Sequence, residues 1–161
     1  MRMEGDYFQR MRWMCVGAWA ALTVTLTAVA CKHGKCEDGP TSTAQGSSHN
    51  SGEDCMRCHL PDGEGEICWK VAGTIFDSGG QHPFVGAQVR LFSKPHGTGE
   101  VHLAMESDRS GNIHSSEALA FGQGLFPAVI RGLDTLFMTG AIHDGACNRC
   151  HGISTERIRT P

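Results

Sequence analysis

Two cysteines three positions apart, followed at once by a histidine, form the pattern Cys55-Met56-Arg57-Cys58-His59. Cys147-Asn148-Arg149-Cys150-His151 repeats it near the far end of the chain. The chemistry this spacing permits is specific. Two thiols so placed can add to the two vinyl groups of one haem, and the adjoining histidine is then carried over the iron as its proximal ligand. The repeat therefore predicts two covalently bound haem c groups. Cys55, Cys58, Cys147 and Cys150 would supply the thioethers, and His59 and His151 the iron ligands. Paired cysteines also serve zinc, as four thiolates in a tetrahedron, and exchangeable dithiols. The stretch between the two pairs is longer than zinc ribbons use, and zinc does not call for a histidine at the same place in both. A dithiol normally sits in a βαβ context, which this sequence lacks.

Each iron takes a second axial ligand or stays open. His49 lies shortly before the first motif and His143 shortly before the second, so these two are the candidate distal ligands. Met138 competes with His143. Two histidines would give a low potential and a histidine–methionine pair a higher one. His82 and His96 fall in or beside turns and read as surface, while His102 and His114 lie on alternating segments and could face either way.

Four cysteines remain. Cys15 and Cys31 belong to the N-terminal apolar run, which Arg2, Arg10 and Arg12 precede. A positive start, a short apolar heart and small residues at its end describe an export signal. Its close, Thr27-Ala-Val-Ala-Cys31, resembles the lipobox of bacterial lipoproteins, with Ala28 where that family prefers leucine. The resemblance implies cleavage after residue 30, acylation of Cys31 and a lipid anchor in a membrane. Glu4 and Asp6 are unusual so early in a signal, and a start at Met11 would give a cleaner one. A retained membrane-spanning helix is the alternative. Either way the remainder is expected outside the cytoplasm, on the periplasmic side or at the cell surface. Lys32 after Cys31 leans towards the outer membrane. In an oxidising compartment the two spare cysteines, Cys36 and Cys68, are expected to pair.

The 161 residues suit about one domain. A net charge of −3, with no basic stripe, excludes nucleic acid as the expected partner. Charge is uneven: Glu37, Asp38, Glu53, Asp54, Asp62, Glu64 and Glu66 stand against Arg57 alone, whereas Arg149, Arg157 and Arg159 dominate the tail. The chain reads as a signal (1–30), a polar linker (31–54), a first haem segment (55–68), a strand-rich region (69–139), and a second haem segment with the tail (140–161). Thr41 to Glu53 is too small and polar to bury a core. From Trp69, short alternating segments separated by Gly-, Pro- and Asp-rich turns predict six or seven strands of a small antiparallel β-sandwich. The fold class is thus mainly β, flanked by irregular or short-helical haem segments. Pro127 is expected to force its strand to an edge or a bulge.

Within that region Gly73, Asp77, Pro83, Gly86, Ala87, Val89, Leu91, Ser107, Asp108, Gly111 and Ile113 follow a recognisable order. They resemble the carboxypeptidase regulatory-like domains, which are transthyretin-like sandwiches without chemistry of their own. The whole mature chain resembles exported bacterial multihaem c-type cytochromes in which a β-sandwich lies between two haem segments. That resemblance implies electron transfer with other redox proteins of the cell envelope. Two other classes stay open: a peroxidase- or reductase-like haem enzyme with one open iron, and a binding or structural module of an envelope redox complex.

Overall fold

The structure, a computed structural model, describes residues 36–161. The signal segment 1–30, Cys31 and the two alternative starts lie outside the described residues. Those residues belong to one compact unit. Among them no helix is long and apolar enough to cross a membrane.

The architecture is mainly β. Eight strands follow in order: β1 (Glu37–Asp38), β2 (Ile67–Cys68), β3 (Val71–Thr74), β4 (Gln88–Phe92), β5 (Val101–Glu106), β6 (Asn112–Ser115), β7 (Phe126–Arg131) and β8 (Asp134–Phe137). Strands β3 to β8 fall in the alternating segments of the sequence. β3 pairs antiparallel with β6, while β5, β4, β7 and β8 form an antiparallel sheet in that order. Alternation decides which faces are buried. In β5, Leu103 and Met105 are buried while His102 and Ala104 are exposed. In β4, Val89 and Leu91 point inward and Gln88 outward. These side chains, with Val129 of β7, meet Val71, Ile75 and Ile113 from the β3–β6 side in one hydrophobic core. Each such burial stabilises by about 1.5–3 kcal/mol.

Pro127 departs from expectation. Its strand, β7, is internal, between β4 and β8. The carbonyl of Pro127 accepts from the Met138 N–H just past the end of β8. The missing N–H therefore falls at the last rung, opposite Met138, and the loss is confined to the end of the β7–β8 ladder.

The polar stretch before the first motif is fastened to the strands by hydrogen bonds rather than by apolar packing. Ser42 donates its N–H to the His114 carbonyl, and its Oγ accepts from the His114 N–H. Asp108 is fully buried. Its carboxylate accepts from the N–H groups of Ser110 and Asn112 and from Ser48 Oγ. Asn112 Nδ2 donates to Ser48 Oγ and to the His49 carbonyl, both at 2.9 Å. Such charge-assisted bonds outweigh the ordering entropy of a glycine- and serine-rich segment.

At the start of the described chain β1 pairs in parallel with β2, and Cys36 is joined to Cys68 by a disulfide with Cα atoms 5.2 Å apart. The bridge spans 32 positions. Removing it with Cys36→Ser and Cys68→Ser together is expected to cost about 3–4 kcal/mol through loop-closure entropy, read by denaturant titration.

Candidate haem-attachment sites

The two motifs fold alike. Each opens a single 3-10 turn, Cys55–Arg57 and Cys147–Arg149. An aspartate precedes each turn and accepts a backbone N–H: Asp54 from Met56 at 3.2 Å, Asp144 from Ala146 at 2.9 Å. The histidine N–H then reaches back to the carbonyl of the first cysteine, at 3.0 Å for His59 and 3.1 Å for His151. The first variable residue of each motif is buried, Met56 in one and Asn148 in the other. The second is an exposed arginine, Arg57 or Arg149.

The imidazoles are held in the same way. His59 Nδ1 lies 2.7 Å from the Ile67 carbonyl, and His151 Nδ1 lies 2.7 Å from the Glu156 carbonyl. A carbonyl only accepts, so Nδ1 carries the proton in each ring, and Nε2 is left with its lone pair free for a metal. Gly65 makes room for the first ring, because a Cβ there would stand 2.7 Å from His59 Nδ1.

Both motifs converge on the outer edge of β3, the edge that β6 leaves open. Ala72 forms a parallel bridge with Ala146, and its N–H donates to the Gly145 carbonyl at 2.9 Å. Asn148 Oδ1 accepts from the Thr74 N–H at 3.0 Å. Asn148 Nδ2 donates to Thr74 Oγ1 at 3.0 Å and to the Glu53 carbonyl at 2.9 Å. Thr74 Oγ1 also accepts from the Gly52 N–H and donates to Asn112 Oδ1. One buried threonine thus joins the segment entering the first motif to the turn of the second. Arg149 adds exposed ion pairs with Asp54 and Asp144, each at 3.6 Å; pairs this exposed contribute little. Close approach needs Gly73, since a Cβ there would meet Cys147 Cβ at 2.8 Å.

A cavity opens beside each motif. The first, about 1390 Å³, is bordered by Cys55, Cys58, His59, His49 and Trp69. The rings of His49 and His59 have centroids 6.0 Å apart. A metal–imidazole nitrogen bond is about 2 Å, so two imidazoles facing one metal have centroids about 6 Å apart. Trp69 lies 5.6 Å from the His59 ring and 4.3 Å from the half-buried His114 ring. Burial lowers the affinity of His114 for a proton. The second cavity, about 520 Å³, is bordered by Cys147, Cys150 and His151, and both His143 and Met138 face it. His82, His96 and His102 are exposed on other parts of the surface.

The thiols distinguish among the chemistries that use paired cysteines. Burial, then the neighbouring carboxylate of Asp144, pushes the Cys147 thiol up to about 12. Burial raises Cys55 as well. A reactive dithiol needs its leading cysteine lowered, so these two are poor exchange nucleophiles. Among the described residues no three His, Cys, Asp or Glu side chains are gathered as a site for a bare metal ion, so a four-thiolate zinc tetrahedron is not preassembled. The donor set fits haem c: two thiols, an adjoining imidazole with Nε2 free, and a cavity at each motif. Among known proteins, the chain matches no family model, no curated protein and no solved structure.

The motif residues and their histidines were readable from spacing. Thr74 and Asn148 were not, since a threonine in a strand and an asparagine inside a motif carry no pattern of their own.

Asn148→Ala should destabilise the fold by about 2–4 kcal/mol, because it strands the Thr74 N–H and the Glu53 carbonyl. Gly73→Ala should cost about 1–3 kcal/mol by overpacking against Cys147. Denaturant titration reads both. A pH effect follows for chain made without haem attachment. Above about pH 9 the unfolded chain releases the Cys147 proton, while the folded chain keeps it up to about 12. Stability should therefore fall across that range, and Cys147→Ala should remove this part of the fall.

Proposed function

We propose that this chain is an exported dihaem c-type cytochrome, anchored by lipid at Cys31, that carries single electrons between redox proteins of the cell envelope. Its strand-rich region is a small β-sandwich of the carboxypeptidase regulatory-like kind, serving as the frame for two haem segments. The observation that carries the reading is the repeated turn, in which each CxxCH imidazole is tied at Nδ1 to a backbone carbonyl with Nε2 left free.

When bound, haem iron supplies reversible one-electron exchange. The chain's own residues do the rest. Cys55, Cys58, Cys147 and Cys150 would hold the macrocycles. The Ile67 and Glu156 carbonyls fix the tautomer and orientation of His59 and His151. His49, whose carbonyl accepts from Asn112 Nδ2, has its ring 6.0 Å from that of His59 and would hold the same iron. At the second site His143 or Met138, both bordering the cavity, would do so. The Asn148–Thr74 contact keeps the two sites on one strand edge, and rigid ligand positions limit the rearrangement that accompanies each electron. The disulfide at Cys36–Cys68 suits an oxidising compartment.

Protein made with a haem c maturation system should show two covalent haems per chain by intact mass and pyridine haemochrome absorbance. Its oxidised spectrum should be low-spin at both irons, and His49→Ala should convert one of them to high-spin. Colourless protein, with a mass of polypeptide and lipid alone, would sink the proposal.

A further inference from the structure

The two motifs are alike within their turns and unlike in what surrounds them. The first cavity is wide and polar. Glu53, Asp54, Asp62 and Glu64 border it, against Arg57 and Arg157, so four acids face two bases. The second is smaller, and its wall is largely apolar, with Val129, Leu136, Ala141, Ile142 and Ile158 among its lining. Its acids, Asp144 and Glu156, are matched by Arg157 and Arg159. Net charge at the border is therefore −2 at the first site (four acids less two bases) and zero at the second (two less two).

Both differences act in one direction. An iron that loses an electron gains a positive charge. Carboxylates stay in excess at the first cavity even with Asp54 paired to Arg149, and they stabilise that charge and favour the oxidised form. The apolar wall of the second excludes water and disfavours the added charge, favouring the reduced form.

We infer that the chain is a directional electron relay: the site at Cys55–His59 has the lower potential and the site at Cys147–His151 the higher, so electrons enter at the first and leave from the second. This rests on the haem reading above. The ordering comes from cavity composition alone and holds whether both irons carry the same ligand pair or not. Met138 in place of His143 as the sixth ligand would widen the gap in the same sense.

The test is an optical redox titration of the full-length dihaem protein. Two steps are expected. With one electron per molecule, the second site should hold it at least about tenfold more often than the first, a gap of about 59 mV or more. Cys147→Ala with Cys150→Ala leaves only the first haem, whose step should coincide with the lower one of the intact protein. Should that variant fold poorly, Asp62→Asn with Glu64→Gln serves instead. Both side chains are exposed, and their neutralisation should raise the lower step while leaving the upper one in place. Coincident steps, a single-haem step matching the upper one, or a neutralised variant that moves the upper step would each overturn the ordering while leaving the haem reading intact. Protein with no haem by mass and no optical step would overturn both.

Discussion

The hydroxyl of Thr74 is the point on which the two motifs depend. It is buried, and it is fully used: it accepts from the Gly52 N–H and from Asn148 Nδ2, and donates to Asn112 Oδ1. A buried polar group left without partners costs about 1–3 kcal/mol, so a network closed on all sides resists being opened at any one of them. Through Gly52 it reaches the approach to Cys55. Asn148 links it to the turn of Cys147, and Asn112 to Asp108 and the backbone of His49. No apolar contact could serve so many directions at once, because hydrophobic packing does not specify which group meets which.

A second constraint is local. Within each turn the cysteine carbonyl, the histidine N–H and the histidine Nδ1 are all committed to the backbone. The leading thiols, Cys55 and Cys147, donate only long bonds to the Glu53 and Gly145 carbonyls, which leaves Cys58, Cys150 and the two Nε2 atoms as the uncommitted chemistry. The repeat thus produces equal presentation from unequal surroundings, and the strands determine how the two sites differ.

Much of this was legible in the amino-acid order. The CxxCH pattern fixes which side chains one turn presents together because the geometry is local. Alternation at Val89 and Leu91, or at Leu103 and Met105, reveals a buried face because strand period and burial coincide. Pro127 misled because its effect depends on where the neighbouring strand ends, a fact set by β8 rather than by proline itself. The stretch from Thr41 to Glu53 reads as a loose tether, since its residues bury no core. Its order comes from Asp108 and Asn112, distant in sequence, whose hydrogen-bonding reach has no periodic signature. The contact between motifs was hidden for the same reason, as Asn148 and Thr74 are 74 positions apart.

The outer edge of β3 is covered by Gly145, Ala146 and Asn148, and just beyond the strand Phe76 bonds to Ile158 and Thr160. These residues lie far downstream of the strand, so a ribosome adds them well after it. While the nascent chain is still short of them, Val71–Thr74 presents an open strand edge, the kind of surface that pairs with whatever other chain is near. A protein stalled or clipped before Gly140 would lose more than its second motif: the first would stand beside an unsealed seam, and self-association is the hazard that the segment from Gly140 onward removes.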